Sequence, residues 1–227
     1  MLVHVRGVLT GEEVAHCRAI LESSSWIDGK ATAGEVAARA KRNLQVPENS
    51  PEARELGDII LKALGRNPIF NSAALPLRVL PPMFNRYDEG MSFGAHVDGA
   101  IRAIPGAGMR MRADVSTTLF LTDPADYDGG ELIIEDSYGS HSVKLPAGDM
   151  VVYPTTSLHR VEPITRGSRW SSFFWTQSMV KDDGKRTLLY DLDLAIIETR
   201  KSLPDDSRAV VALTNSYHNL LRRWAEL

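Results

Sequence analysis

GELIIEDSYGSHSVKLPAGDMVVYP, residues 130–154, contains three short apolar runs separated by two polar turns. GELIIED, SHSVKL and MVVYP have the length and the β-branched content of strands. DSYGS and PAGD, which connect them, are rich in the Gly, Asp, Ser and Pro that turns require. Because neither connection is long enough for a helix, the stretch predicts consecutive antiparallel strands.

The same pattern extends over residues 76–178. Further strand-like runs are LRVLPPMFNRY, MSFGAHVD, DVSTTLFLT, HRVEPI and SRWSSFFWTQ. About eight strands without intervening helices are typical of a barrel or jelly roll. We therefore predict a mainly β protein with flanking helices, whose core domain is a double-stranded β-helix, or jelly roll, over residues 76–178. RAIPGAGMRMRA interrupts the pattern, and we expect it to form a loop beside the site.

The two ends of the chain have helical periodicity. Residues 1–75 predict an N-terminal helical support region, with a capping box at Thr10 and Glu13 and a second helix that starts at Ser50 and Pro51. Residues 179–227 repeat apolar side chains every three or four positions and predict a C-terminal αα-hairpin. This hairpin either covers the barrel or makes a dimer contact.

Composition limits the classes of function. The chain has 227 residues, of which 43% are hydrophobic and 24% charged, with a net charge of −3. That balance gives no electrostatic footprint for nucleic acid or an anionic membrane. The single Cys17 excludes an intrachain disulfide and a cysteine-ligated metal cluster, and we expect it to be a buried apolar side chain. No signal peptide or membrane span is recognisable, so the expected location is cytoplasmic.

GAHVDGAI, residues 94–101, places His96 and Asp98 on the same face of a predicted strand. His159 begins a later strand, and early and late strands of a jelly roll lie close together. Two imidazoles and one carboxylate on one face of a metal are the ligand set of non-haem Fe(II) oxygenases. That set leaves positions open for a cosubstrate and for dioxygen. We expect His4, His16 and His218 to be ordinary surface residues, and His141, which opens a strand after a turn, to lie away from the site.

Arg169 follows His159 by ten residues and is predicted to return into the barrel on the next strand. A guanidinium can hold a carboxylate by two parallel hydrogen bonds. Ser171 shares the face of Arg169 and could donate to the same carboxylate. The alternative is that Arg169 pairs with a protein carboxylate such as Glu162, or extends to the rim.

HVDGA (96–100), DYDGGELII (126–134) and SLHRVEPITRGSRWSSFFW (157–175) together resemble the Fe(II)- and 2-oxoglutarate-dependent dioxygenases of the prolyl and lysyl hydroxylase class, and in particular the PKHD-type hydroxylases. The resemblance implies that His96, Asp98 and His159 bind Fe(II) and that Arg169 binds the distal carboxylate of 2-oxoglutarate. It also implies that Tyr87 hydrogen-bonds the cosubstrate. Phe120 departs from the family pattern, because some prolyl hydroxylases have a tyrosine there.

The implied reaction uses O2 to hydroxylate a prolyl- or lysyl-type residue or a related small molecule, with succinate and carbon dioxide as coproducts and L-ascorbate as a further candidate cofactor. The expected partner is thus a small-molecule or peptidyl substrate, with no nucleic acid or membrane partner; a homodimer is one option for the oligomeric state. A cupin-like metal-binding jelly roll without oxygenase activity is the alternative, but it has no need of Arg169. A nucleic-acid demethylase conflicts with the acidic charge balance, and a halogenase conflicts with Asp98.

Overall fold

The computed structural model describes residues 1–32, 35–137 and 139–227. The N-terminal third alternates short strands with helices. Its elements are β1 (Val3–Val5), α1 (Gly11–Ser23), β2 (Ile27–Asp28), a 3₁₀ turn (Gly29–Thr32), α2 (Glu35–Ala40), β3 (Lys41–Arg42), β4 (Leu44–Gln45), α3 (Pro51–Gly65) and α4 (Pro68–Ala74).

The rest of the chain is a run of strands followed by two helices. The strands are β5 (Pro76–Val79), β6 (Met83–Tyr87), β7 (Ser92–His96), β8 (Ile101–Ile104), β9 (Met109–Arg112), β10 (Val115–Phe120), β11 (Asp128–Gly129), β12 (Leu132–Asp136), β13 (Gly139–Val143), β14 (Met150–Pro154), β15 (Leu158–Val161), β16 (Ile164–Arg166) and β17 (Arg169–Ser178). A second 3₁₀ turn (Pro124–Asp126) precedes β11, and the helices are α5 (Asp183–Arg200) and α6 (Arg208–Trp224).

Two antiparallel sheets form the predicted jelly-roll core. The larger has the order β1-β14-β10-β17-β6-β4-β2, with β5 also paired to β17, and the smaller has the order β13-β12-β15-β7-β3. One apolar cluster joins them: Tyr87, Phe120 and Tyr153 of the larger sheet pack with Leu132 and Val161 of the smaller. The prediction of a mainly β jelly roll with flanking helices is therefore confirmed.

The reading of residues 1–75 as helical was incomplete. β1 pairs with β14, β4 pairs with β6, and β3 pairs with β7, so this region supplies edge strands to both sheets. His4 lies in β1, an edge strand of the larger sheet. These strands are only two or three residues long, which is too short for a period-two pattern to appear in the sequence.

The helices of the N-terminal region cover the outer face of the larger sheet. The capping box of α1 is present: Thr10 accepts from the Glu13 amide and Glu13 accepts from the Thr10 amide. Ser50 caps α3, and Pro51 occupies its first turn. The buried faces of α1, α3 and α4 join one apolar cluster with the outward-facing strand residues, and the predicted Cys17 burial is confirmed within it.

The C-terminal αα-hairpin is present as α5 and α6. It packs on α4 and on the chain that leaves β17, through an apolar cluster that includes Leu75, Val180 and Leu189. The Met1 ammonium also binds the Asp183 carboxylate at 2.8 Å, which ties the chain start to α5. The hairpin therefore covers a helix of the support region more than a sheet of the barrel.

Residues 101–112 form a β-hairpin, so the expectation of an irregular loop was wrong. Ile101 pairs with Arg112 and Ile104 pairs with Met109 in a separate two-stranded sheet. Gly106 and Gly108 have φ of 71° and 62° in the turn, a conformation that favours glycine. The alternation along these strands was hidden because arginines occupy several of the positions.

Candidate metal and cosubstrate site

Neighbouring strands of the smaller sheet bring the two predicted histidine ligands together. His96 ends β7 and is the direct antiparallel partner of His159 on β15, with ring centroids 4.2 Å apart. Asp98 follows two residues after the strand ends, so its predicted place within the strand was wrong. One ligand atom from each of the three side chains lies within 4.8 Å of the other two. The described residues hold no second group of this kind.

Both imidazoles are oriented by backbone carbonyls. Nδ1 of His96 lies 2.8 Å from the Gly94 carbonyl, and Nδ1 of His159 lies 3.1 Å from the Ser157 carbonyl. These contacts place the ring proton on Nδ1 and leave the lone pair on Nε2, which is the arrangement common in metal-ligating histidines. Each Nε2 faces Asp98, at 3.9 Å for His96 and 3.7 Å for His159.

Burial and charge favour neutral imidazole at His96. Its pKa lies below the ordinary histidine value, chiefly because burial disfavours the charged ring and also because His159 is adjacent. The Phe93 ring stacks on His96 at 3.7 Å and excludes solvent from one side. A metal binds only the neutral ring, so these surroundings suit a ligand.

Asp98 is held by donors from the larger sheet. Its Oδ2 accepts from the Ser116 hydroxyl at 2.8 Å and from the Trp175 indole at 2.9 Å. The Thr155 hydroxyl lies 3.0 Å from Ser116 Oγ and extends this network. Two oriented imidazoles and one oriented carboxylate therefore form a donor set that fits Fe(II).

Arg169 is a buried cation without an ion pair to any carboxylate that the structure describes. Its exposed fraction is 1%, and its Nε has no hydrogen-bond partner among these residues. Glu162, the alternative partner considered from sequence, binds Arg160 at 2.7 Å instead. A buried charge without a counter-ion is costly, so this position favours an anionic ligand.

Aromatic rings enclose the Arg169 guanidinium. Its Cζ lies 5.5 Å from the Tyr87 ring centre and 5.0 Å from that of Phe120. Burial raises the pKa of Tyr87 to about 12, so its hydroxyl stays protonated and able to donate. Phe120, the departure from the family pattern, thus contacts the arginine with its ring and offers no hydroxyl.

Ser171 binds the arginine itself. Its Oγ accepts from Arg169 Nη1 at 2.8 Å and donates to Asn85 Oδ1 at 2.5 Å. Since its one proton is used on Asn85, Ser171 positions Arg169 in this structure. A direct hydrogen bond from Ser171 to a cosubstrate stays a prediction.

All six predicted site residues line one cavity of about 480 Å³ between the two sheets. Sequence reasoning missed several other polar residues of its wall. They are Lys41, Asn85, Arg102, Ser116, Thr117 and Tyr153, together with Trp175. Asn85 could have been found, because it shares the face of Tyr87 two residues away on β6. Lys41 and Arg102 gave no signal, because one lies in a two-residue strand and the other in the unexpected hairpin.

The remaining histidines lie elsewhere. His141 binds Asp136 at 2.9 Å on β13 and is not in the wall of the cavity. His4 binds Asp149 at 2.7 Å, and His16 faces Glu55 at 3.6 Å. His16 and His218 are exposed, as expected, whereas His4 is half-buried within β1.

Two family sequence models match the chain. The model described as the 2OG-Fe(II) oxygenase superfamily matches residues 82–177, which contain the site. The model described as the PKHD-type hydroxylase C-terminal domain matches residues 183–226, which form the αα-hairpin.

Relatives and solved structures agree with these matches. A PKHD-type hydroxylase of Methylobacterium nodulans is 74% identical over 100% of both chains, and one of Cupriavidus metallidurans is 68% identical over the same share. The crystal structure of a Pseudomonas putida prolyl-4-hydroxylase has a similar fold, with a TM-score of 0.54 and 21% identity over 78% of this chain and 92% of that one.

None of the helices in the described part of the chain combines the length and the apolar character that crossing a membrane requires.

Proposed function

Because the chain belongs to the PKHD-type hydroxylases, within the 2OG-Fe(II) oxygenase superfamily, it is a 2-oxoglutarate-dependent dioxygenase, and we propose that His96, Asp98 and His159 hold its iron. Arg169 then binds the distal carboxylate of 2-oxoglutarate. The observation that carries this assignment is a buried arginine that pairs with no carboxylate in the described part of the chain, in the same cavity as three converging metal-ligand side chains. A cupin-like binding protein would have no use for that arginine.

The residues of the cavity have separate tasks in this reaction. Iron and 2-oxoglutarate, when bound, supply the oxidative chemistry that inserts one atom of O2 into the substrate and yields succinate and carbon dioxide. His96 and His159 direct their Nε2 atoms toward Asp98 because backbone carbonyls hold their Nδ1 atoms, while Ser116 and Trp175 fix the Asp98 carboxylate. The aromatic walls exclude water from the reacting atoms.

The wall around Arg169 is matched to a carboxylate. Its guanidinium supplies a planar set of donors, and Ser171 holds Nη1 in place at 2.8 Å. Tyr87, protonated at neutral pH, is a second donor in the same wall. We assign Tyr87 to the cosubstrate and Ser171 to the support of Arg169.

The proposed substrate is a prolyl- or lysyl-type residue or a related small molecule. The Pseudomonas putida neighbour is described as a prolyl-4-hydroxylase, and the relatives are described as PKHD-type hydroxylases. A cavity of about 480 Å³ has room for a side chain of this size beside the cosubstrate. L-Ascorbate, the cytoplasmic location, the lack of a nucleic-acid or membrane partner, and a homodimer stay predictions.

The test distinguishes the residues that bind the metal from those that bind the cosubstrate. Fe(II) binding to wild type, His159→Ala, Arg169→Ala and Arg169→Lys is measured by anaerobic calorimetric titration. 2-Oxoglutarate is then titrated into the Fe(II)-loaded proteins, following the visible charge-transfer band of the chelate. His159→Ala should lose iron binding. Arg169→Ala should keep iron but bind 2-oxoglutarate about 30- to 5,000-fold more weakly, since removing one partner of a buried, hydrogen-bonded charge pair costs about 2–5 kcal/mol. Arg169→Lys should restore the affinity for 2-oxoglutarate only in part, because an ammonium group cannot form the two parallel hydrogen bonds of a guanidinium.

Arg160→Ala is the matched control, since Arg160 is half-buried outside the cavity and its partners are Glu135 and Glu162. It should bind iron and 2-oxoglutarate as wild type does. Wild-type affinity for 2-oxoglutarate in Arg169→Ala would contradict the assignment of Arg169, and retained iron binding in His159→Ala would contradict the ligand set.

A further inference from the structure

Lys41 is a buried cation in the wall of the same cavity. It lies on β3, opposite Phe93 of β7, and its exposed fraction is 4%. Its Nζ lies 5.3 Å from the Phe93 ring centre and 5.8 Å from that of Phe173, so the ammonium stands between the two sheets. Arg42, the next residue, is exposed. The edge strand β3 therefore points its lysine, and not its arginine, toward the cavity.

Arg102 supplies a second cation from the β8–β9 hairpin. Its guanidinium carbon lies 3.6 Å from the Trp175 ring centre, and its Nη2 lies 3.8 Å from Oδ1 of Asp98. Its Nε is buried and has no hydrogen-bond partner among the described residues. Arg110, on the other strand of the hairpin, is exposed. Stacking on Trp175 thus holds Arg102 at the metal side of the cavity with donor capacity unused.

These two cations lie away from Arg169 along β17. Arg169, Phe173 and Trp175 share one face of this strand, at offsets of four and six residues. At the usual rise per residue, those offsets correspond to about 13 and 20 Å. Lys41 contacts Phe173 and Arg102 contacts Trp175, whereas Arg169 is enclosed by Tyr87 and Phe120. The cavity therefore has cations at both ends.

Lys41 and Arg102 are close enough for their charges to repel. The pKa of Lys41 is lowered to about 8, chiefly by burial and next by the charge of Arg102. Asp98, Asp28 and Glu48 oppose this effect. Under the proposed function the negative charge of Asp98 is shared with the metal. Asp98 then offsets less of the positive charge of Lys41 and Arg102 when iron binds. An anion bound between the two cations would offset their repulsion.

We propose that Lys41 and Arg102 form a substrate-anion site, which receives a carboxylate of the molecule to be hydroxylated. The proposal rests on the proposed function, in which Arg169 binds 2-oxoglutarate. The end of the cavity that holds Lys41 and Arg102 is then left for the substrate. Arg102 offers a planar guanidinium and Lys41 a rotatable ammonium, which together suit a carboxylate near the metal. The carboxylate belongs either to the α-carbon of the substrate amino acid or to an acidic neighbour in a peptide.

Binding is measured by ligand-observed NMR on the protein loaded with Zn(II), in place of iron, and saturating 2-oxoglutarate. One set of probes comprises N-acetyl-L-proline and N-acetyl-L-lysine, each against its C-terminal amide. A second set comprises end-blocked pentapeptides with a central proline or lysine, with and without an adjacent glutamate. The probe with the carboxylate should bind at least about tenfold more tightly than its uncharged counterpart in one of the two sets, which identifies the source of the carboxylate.

Lys41→Met and Arg102→Met should lose this preference while keeping wild-type affinity for 2-oxoglutarate. Each variant is saturated with Zn(II) before the measurement, because Arg102 Nη2 also lies 3.8 Å from the proposed ligand Asp98. Arg42→Met and Arg110→Met are the matched controls, and both should keep the preference. Arg42 lies on the strand of Lys41, and Arg110 lies on the other strand of the hairpin that carries Arg102. Equal binding of charged and uncharged probes by wild type, or an unchanged preference in Lys41→Met and Arg102→Met, would overturn the proposal. Weaker 2-oxoglutarate binding in these two variants would overturn it as well, because both residues would then belong to the cosubstrate site.

The metal and 2-oxoglutarate affinities of wild type are determined first. Absence of 2-oxoglutarate binding would contradict the proposed function itself. Normal 2-oxoglutarate binding without a carboxylate preference would contradict only the anion site.

Discussion

Trp175 donates its indole N–H to Oδ2 of Asp98 at 2.9 Å, across 77 residues of sequence. The bond joins the larger sheet to a residue just beyond a strand of the smaller one. Because Asp98 lies outside β7, the sheet alone does not fix its carboxylate. Its orientation depends on Trp175 and on Ser116, which binds the same oxygen.

Trp175→Phe should therefore weaken iron binding while the fold is kept. The phenyl ring retains most of the apolar contact but cannot donate to Asp98. Loss of a partner that orients a metal ligand costs about 10- to 100-fold in metal affinity. Anaerobic calorimetric titration with Fe(II) measures the change.

Trp170→Phe is the control on the same strand, since its Nε1 has no hydrogen-bond partner among the described residues. It should bind Fe(II) with wild-type affinity. Equal affinities in both variants would show that the Trp175 bond does not orient the ligand.

Gly130→Ala should reduce affinity for 2-oxoglutarate. Gly130 has φ of 69°, and a Cβ there would lie 2.3 Å from Cδ1 of Ile164 and 3.2 Å from Cδ of Arg169. The added methyl must displace Ile164 and crowd the arginine. We expect the arginine to shift and 2-oxoglutarate binding to fall by about tenfold or more, because misplaced donors lose their fork geometry.

Gly90→Ala separates crowding from backbone strain. Gly90 has φ of 78°, yet a Cβ there would meet no atom within 4 Å. Both variants should lose about 1 kcal/mol or more of unfolding free energy, since alanine is strained at positive φ. Only Gly130→Ala should lose cosubstrate affinity, and an equal loss in Gly90→Ala would assign the effect to strain.

Cys17 should resist alkylation in the folded protein. Burial raises the pKa of its thiol to about 11, with Glu13 and Glu55 adding to the effect, so little thiolate exists at pH 8. Iodoacetamide at that pH should label the unfolded chain within minutes and the native chain far more slowly, because the thiolate is the nucleophile. Mass spectrometry gives both rates, and equal rates would contradict the buried placement of Cys17.

The same shift predicts a decrease of stability in alkali. The thiol of the unfolded chain loses its proton near the ordinary thiol pKa, whereas the folded chain keeps it until about pH 11. The contribution of Cys17 to stability is thus complete below the unfolded pKa and is lost as pH rises through this window. Denaturant unfolding of Cys17→Ala should show a smaller decrease between these pH values.

The β8–β9 hairpin should close over the cavity when cosubstrate and substrate bind. Its residues Ile101 and Met109 are exposed, whereas Arg102, Ile104 and Met111 pack toward Trp175. Amide hydrogen exchange of residues 101–112 should slow by about tenfold or more after Zn(II), 2-oxoglutarate and a true substrate are added. Unchanged exchange in this segment would favour a hairpin that is fixed or has no role in closure.

Some features of this protein follow from local sequence alone. Turn residues between short apolar runs predicted the jelly roll, and Thr10, Ser50 and Pro51 predicted helix starts, because capping and turn formation depend on neighbours in the chain. His96, Asp98, His159 and Arg169 could be selected because their chemistry is unusual at those positions of an otherwise apolar pattern. The structure places all four in one cavity.

Tertiary structure decided what surrounds them. Lys41 lies on a strand of two residues that exists only because β7 offers an edge to pair with, and short strands leave no periodic pattern. Arg102 enters the cavity because the hairpin stacks it on Trp175, 73 residues later in the chain. Such long-range pairings depend on sheet register and packing. The local sequence was enough to identify the candidate ligands. Which cations and donors face them was determined only by the packing of the two sheets.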